Sequence, residues 1–371
     1  RPVFIEELGE EPEQLFASID PDPLGSASLA QVHSAELPSG EEVVVKIQRP
    51  SITETIRIDL QILEDAARLA QLTPLGEAYQ PLEVVNEFSN TIRSELNYLR
   101  EARNADQFRE NFKGEDFLVI PKVYWEFCTH SVIVLERIRG IRIDDLEALD
   151  AAGYDRHRIA MNATHLIMKE VFEDGFFHAD PHPGNLYVMN GSRLGAMDFG
   201  MVGRLSRSDR MDLFRLFSGA VQNDAGEVVD QLVRMEAVRG RVDRRTLSRD
   251  IERLLQKYDG LPLSDIHAGD VFEDLMPITF RHNLSLPPNF WLLAKSLTIL
   301  EGMGTRLDPD FNPFEVSEPY IRKLSRLVWD PREIRRVVFS DLSSWGHFLS
   351  ELRRVGSAFL RDIRAGPAPI L

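Results

Sequence analysis

Between His178 and Gly200 the chain places His178-Ala-Asp-Pro-His-Pro-Gly-Asn185 and Asp198-Phe-Gly200 around two short apolar segments, and no other stretch narrows the possible folds as much. Taken alone, the first piece reads as a turn, because Pro, Gly and Asn all favour tight backbone. Its order relative to a lysine changes that reading. Lys46 closes the apolar run Val43-Val-Val-Lys46, and by itself a lysine at a strand end is a solvated exit residue. Transfer of a phosphoryl group needs a lysine on the phosphates, carboxylate and amide oxygens on Mg²⁺, and a carboxylate near the acceptor hydroxyl. Lys46, Asp180, Asn185 and Asp198 supply those groups in that order along the chain.

The spacing Asp180-x-x-x-x-Asn185 followed by Asp198-Phe-Gly200 is that of a protein-kinase catalytic loop and its metal-binding motif. It assigns Asp180 to the acceptor-facing carboxylate, Asn185 and Asp198 to Mg²⁺, and Lys46 to the phosphates of ATP or ADP. His178 is expected to anchor the loop, and His182 either orients a phosphate or lines the turn. Neither reads as a zinc ligand, since no cysteine or further histidine cluster supports one. Such a site also needs a glutamate to hold the lysine. Glu95 and Glu101 are the candidates on a helix expected from about Leu82 to Phe112. Six positions on one continuous helix amount to about 600°, so the two point roughly 120° apart and cannot face the cleft equally. Glu95 is the one selected. Val132 to Glu136 reads as the strand before the lobe hinge, where backbone groups at Glu136 would meet adenine.

The expected fold is therefore α+β and two-lobed. The β segments Leu29–Leu37 and Val43–Ile47 form a hairpin, and Leu118–Glu126 with Ser131–Ile138 form a second β pair. A helix from Ser51, read as its cap, to Leu72 lies between them, and another from Arg156 to Phe176 leads into the catalytic loop. Almost everything beyond Gly203 reads helical. Residues 1–138 form the small lobe and 139–330 the large lobe, followed by an extension over 331–371.

A formal net charge of −16 argues against sequence-independent nucleic-acid binding, which depends on Lys and Arg neutralising phosphates. The single cysteine, Cys128, excludes an intramolecular disulfide and reads as a core residue of a protein from a reducing compartment. No run approaches the roughly 18 apolar residues of a membrane span. In 345–363, however, Trp345, Phe348, Leu349, Leu352, Val355, Phe359, Leu360 and Ile363 follow helical spacing, with Arg353, Arg354, Arg361 and Arg364 between or just beyond them. A basic amphipathic helix on an acidic protein suggests anionic membrane lipids as partners; packing on the large lobe is an equal reading.

Two features depart from ordinary protein kinases. One glycine stands where their phosphate loop has three, in Pro23-Leu-Gly-Ser-Ala-Ser-Leu-Ala-Gln-Val-His33, and no Ala-Pro-Glu follows Gly200. Together with Val43-Val-Val-Lys-Ile-Gln-Arg-Pro50, Glu95-Leu-Asn-Tyr-Leu-Arg-Glu-Ala102 and Phe177-His-Ala-Asp-Pro-His-Pro-Gly-Asn185, that loop makes the sequence resemble the UbiB family of atypical kinase-like proteins, also called AarF-domain-containing kinases. The resemblance covers most of the chain. It implies a nucleotide loop at Gly25, Ser26, Ala27 and Ser28, and membrane-associated ATPase-type activity supporting isoprenoid-quinone (ubiquinone-type) biosynthesis or lipid metabolism, with quinone-biosynthesis proteins as possible partners. Three features differ from the family pattern. Its alanine run reads Gly25-Ser26-Ala27, its Glu-x-Asp pair reads Glu95-Leu96-Asn97, and neither its Lys-x-Gly-Gln extension nor a C-terminal membrane span occurs in these residues. Two other functions fit the same motifs: a small-molecule phosphotransferase of the aminoglycoside-kinase type, and a nucleotide-binding scaffold without turnover.

Overall fold

The run Val43-Val-Val-Lys46 is apolar on consecutive positions, as expected of a strand covered on both faces. In the computed structural model it lies in β4 (Glu42–Gln48), paired antiparallel with β3 (Ala30–Glu36) on one side and β6 (Val132–Glu136) on the other. β1 (Ser18–Ile19) and β2 (Gly25–Ser26) add to the outer edge of β3, giving five strands. Successive side chains alternate between the faces. Val43 and Val45 pack with Phe4 and Phe16 of the N-terminal segment, so the acidic, Pro-punctuated residues at the start of the chain form the back of the sheet. Val44 faces the main core beside Ile133 and Tyr98, and Lys46 leaves the same face.

The structure describes residues 2–311 apart from 27, 74–80, 239–242, 262–265, 310 and a few side chains, together with 316 and 320. By contacts the chain divides into Arg1–Ser317 and Glu318–Leu371. All three sheets and the cleft lie in the first unit. The candidate nucleotide residue Ala27 and the amphipathic stretch 345–363 lie outside the described residues.

α1 (Pro2–Leu8) and α2 (Pro12–Leu15) precede the sheet, and α3 (Ile52–Gln71) follows β4. Ser51 stands at the N-cap of α3, but with φ +60° its side chain makes no capping bond, contrary to the sequence expectation. A larger correction falls on the helix expected from Leu82 to Phe112. It is two helices, α4 (Pro81–Glu95) and α5 (Tyr98–Asn111), separated at Leu96 and Asn97. Asn97 caps α5 by accepting the Arg100 N–H at 3.2 Å. Asn is among the preferred N-cap residues because its side-chain oxygen satisfies a donor that the first helical turn leaves free.

The expected pairing of Leu118–Glu126 with Ser131–Ile138 holds only at its far end, where Val123 forms an antiparallel bridge with Leu135 of β6; β5 (Leu118–Val119) itself does not join β6. It runs parallel to β10 (Arg193–Ala196) in a second sheet, which continues through β9 (Leu186–Met189) to β7 (Ile141–Arg142). This sheet carries the segment between the catalytic loop and Asp198. α6 (Leu146–Ala151) and α7 (Arg156–Met168) follow β7. α7 ends in a π-helical turn over Lys169–Asp174, closed by Gly175 at φ +63°. A Cβ on Gly175 would lie 2.3 Å from the Leu205 carbonyl oxygen, so both the left-handed backbone and the close approach require glycine there.

β8 (Phe176–His178) then pairs antiparallel with β11 (Val202–Arg204). The rest of the unit is helical, as expected: α8 (Arg207–Val221), α9 (Ala225–Arg234), α10 (Arg244–Tyr258), α11 (Ala268–Arg281) and α12 (Pro288–Leu307). α12 packs on α7 through Leu293, Leu300 and Met303. Among the described residues no helix is long and apolar enough to cross a membrane. Cys128 is half-buried, and burial pushes its thiol up to about 11.

Candidate active site

Lys46 Nζ lies 3.0 Å from both carboxylate oxygens of Glu101 and 3.5 Å from Asp198 Oδ2, with the Tyr98 ring centroid 5.1 Å away. Burial by itself would favour the neutral amine, but the carboxylates of Glu101 and Asp198 outweigh it and hold the ammonium charged. The glutamate that braces Lys46 is thus Glu101, not Glu95. The break at Leu96 and Asn97 restarts the helical phase, so the angle expected on one continuous helix does not apply. Glu101 sits one turn into α5 with its side chain 3% exposed.

Glu95, at the end of α4, still faces the cleft. A Cβ on Gly200 would lie 3.3 Å from both Glu95 Oε1 and Asp198 Oδ1, so the two carboxylates flank that glycine. Burial, and next the Asp198 charge, push the Glu95 carboxyl up. Asp198 has the left-handed φ of +60°, uncommon for a residue with a side chain. The Gly200 N–H bonds its Oδ1 at 3.2 Å. Although burial opposes ionisation, the Lys46 charge and that N–H hold the Asp198 carboxyl below its ordinary range.

Phe199 fastens this turn from behind. Its carbonyl accepts a bond from Asn104 Nδ2 at 2.8 Å, and its ring lies 5.2 Å from Phe108 and 5.9 Å from His178 between centroids. α5 therefore holds both Lys46, through Glu101, and the Asp198 turn, through Asn104 and Phe108.

His178 anchors the catalytic loop. Its Nδ1 accepts the Asp180 N–H at 3.1 Å, while Nε2 lies 3.5 Å from the Met197 carbonyl oxygen and donates to it. That pattern requires the neutral ring protonated on Nε2, and burial lowers the His178 pKa in the same sense. The His178 N–H donates to Glu170 of the π-helical turn at 3.2 Å. His182 turns inward on its own loop, its Nδ1 accepting the Gly184 N–H at 3.1 Å. Asn185 Nδ2 donates to the Asp180 carbonyl at 3.3 Å.

One partner was missed by sequence reading. Lys295 Nζ on α12 bonds Asp180 Oδ1 at 2.9 Å, and the next residue, buried Ser296, donates to the His178 carbonyl at 3.1 Å. In the sequence Lys295 is merely the charge that interrupts Phe290 to Leu300. Only its isolation on an apolar helix distinguished it.

Of the expected nucleotide loop, Gly25 and Ser26 form β2, exposed and paired with Val32 and Gln31, and Ser28 follows. Gly25 and Lys46 both lie opposite Val32, which places them about 10 Å apart across β3. At the hinge, the Glu136 N–H donates to the Lys122 carbonyl at 2.9 Å, and the Glu136 carboxylate accepts the Lys122 N–H at 3.0 Å. The Glu136 N–H is engaged within the fold, so it is not the donor an adenine ring would meet.

Sequence comparison matches residues 1–232 to the ABC1 atypical kinase-like domain and residues 251–312 to the UbiB helical domain. The chain belongs to the UbiB family of atypical kinase-like proteins. A probable protein kinase UbiB of Pseudomonas paraeruginosa is 36% identical over 369 residues, covering 98% of this chain and 69% of the relative. An uncharacterized protein of Synechocystis is 37% identical over 320 residues, covering 86% of this chain. This chain spans 55% of the length of that relative. Among solved structures, the Rv3197–erythromycin complex from Mycobacterium tuberculosis superposes with a TM-score of 0.61 at 23% identity, covering 83% of this chain and 78% of the other. That likeness supports the kinase-like fold. Within the family frame, Lys295 and Ser296 belong to the UbiB helical domain, and through them that domain touches the catalytic loop of the ABC1 domain.

Proposed function

We propose that this protein binds a magnesium–nucleotide complex and catalyses ATP-dependent phosphoryl transfer, to water or to a hydroxyl acceptor, at a membrane surface. The observation that carries the reading is the convergence of Lys46, Asp198 and the catalytic loop around one cleft, with Lys46 kept charged by Glu101 and Asp198. A fixed ammonium of this kind suits nucleotide phosphates.

The donor set fits Mg²⁺. Asp198, with the Asn185 side-chain oxygen, offers hard oxygen ligands, and Glu95 lies within the same acidic cluster. Among the described residues no group of three or more acidic, histidine or cysteine side chains forms a ready metal cage. Mg²⁺ commonly takes one or two protein carboxylates and completes its shell with substrate phosphates and water. When bound, it would neutralise phosphate charge. The chain's own residues would orient the nucleotide through Lys46 and place the Asp180 carboxylate towards the acceptor. Gly25, Ser26 and Ser28 would lie over the phosphates. Support of isoprenoid-quinone biosynthesis is the setting that the family resemblance implies, with anionic lipid and quinone-biosynthesis proteins as partners.

The test is Mg²⁺-dependent ATP hydrolysis with and without anionic-lipid vesicles, comparing wild type with Asp198→Asn and Lys46→Ala. Lipid-stimulated turnover that both substitutions abolish is the expected result. Nucleotide binding without turnover under every condition would instead favour a scaffold role.

A further inference from the structure

The stretch His178 to Asn185 contains neither Lys nor Arg. Lys46 is committed to Glu101 and Asp198, while Asp180 adds a further carboxylate to the cleft and Glu95 lies beside Asp198. A nucleotide triphosphate entering it would meet excess negative charge at the end where Asp180 lies. The phosphoryl group being transferred spreads its negative charge over its equatorial oxygens, and a second cation beside them is what such sites recurrently provide.

Lys295 meets this requirement. Its ammonium bonds Asp180 Oδ1 at 2.9 Å, and its side chain is 48% exposed, so it reaches the cleft from the solvent side. An ammonium carries three donors, and among the described residues its hydrogen-bond acceptor is Asp180, leaving donors for a second anion. Its backbone is fixed. Ser296, fully buried, ties the same turn of α12 to the His178 carbonyl at 3.1 Å, and Leu293 and Leu300 on either side are packed in the core. A flexible stem on a pinned helix can swing its tip without moving the helix.

Resting on the nucleotide-binding reading above, the geometry points to Lys295 as the second phosphate-binding cation of the site. It is supplied by the helical domain, contacts the terminal phosphoryl group of ATP, and stays within reach of Asp180. It therefore discriminates ATP from ADP. A nucleotide lacking the terminal phosphate leaves Lys295 on Asp180, whereas ATP gives it a second anion.

The experiment is calorimetric titration of Mg-ATP and Mg-ADP into wild type, Lys295→Met, Lys295→Arg and the double variant Lys295→Met with Asp180→Asn, with melting temperatures recorded for each. Lys295→Met is expected to weaken ATP about tenfold, the size of one charge-assisted hydrogen bond, with ADP unchanged and Lys295→Arg retaining most of the affinity. The double variant separates direct contact from simple neutralisation of Asp180. A selective ATP loss that persists in it supports contact, and a loss that vanishes overturns the proposal. An ATP-to-ADP affinity ratio equal to wild type in Lys295→Met also overturns it while leaving the nucleotide site intact. Wild type that binds neither nucleotide removes the underlying reading and the proposal together.

Discussion

Glu101 holds Lys46 through both of its carboxylate oxygens, each 3.0 Å from Nζ, from a position one turn inside a helix that begins only at Tyr98. Because Glu101 is buried, its removal would leave the part-buried Lys46 ammonium without its main counter-charge. Glu101→Ala is expected to cost about 3 kcal/mol in urea unfolding, as for other broken buried pairs. Glu95→Ala, which leaves the pair intact, should cost less than about 1 kcal/mol. Equal losses in the two variants would mean that Glu95 shares the bracing role.

Asp198 tests the metal assignment independently of turnover. Asn tolerates the same left-handed backbone and can accept the Gly200 N–H, so Asp198→Asn, which loses only the 3.5 Å charge contact with Lys46, should melt modestly below wild type without ligand. A ligand present at 100 times its Kd stabilises the native state by about 2.7 kcal/mol. Wild type should show a Mg²⁺-dependent rise of that order with nucleotide, and Asp198→Asn should show none. A variant stabilised as strongly as wild type would remove Asp198 from the metal site.

Glu170 predicts a pH dependence. Burial pushes its carboxyl well above the ordinary range, so the folded protein keeps a proton that the unfolded chain releases above about pH 4.3. Between the unfolded and folded values the native state binds more protons, and the group's contribution to stability falls as pH rises. Glu170→Gln keeps an acceptor for the His178 N–H and removes the titration. The two proteins should melt alike near about pH 4.5, with the variant increasingly ahead towards about pH 8. A gap that does not widen with pH would show that Glu170 is not protonated in the native state.

Gly203 is a packing requirement. A Cβ there would fall 2.0 Å from the fully buried Phe177 ring, between the strand entering the catalytic loop and the strand leaving the Asp198 turn. Gly203→Ala is expected to cost about 2 kcal/mol, typical of overpacking. Gly203→Ala with Phe177→Leu should lose less stability than the sum of the two single substitutions. Additive losses would mean that the clash is relieved by backbone movement instead.

The sequence by itself determined the kinase-like class and singled out Lys46, Asp180, Asn185 and Asp198 as candidate site residues. Each lies in a short local pattern whose chemistry depends on spacing within one loop or strand, and local spacing survives folding unchanged. Glu101 was visible as a candidate, but choosing it over Glu95 required knowing that Asn97 caps a new helix. That cap was legible only as a weak signal, an Asn before Tyr98 inside an otherwise helical stretch. Placing β5 beside β10 instead of β6 was beyond local pattern, since a two-residue strand carries no pairing information. The partnership of Asp180 with Lys295, 115 residues apart, was decided by tertiary structure alone. It exists because the apolar faces of α7 and α12 pack together and Ser296 fastens the turn that carries the lysine.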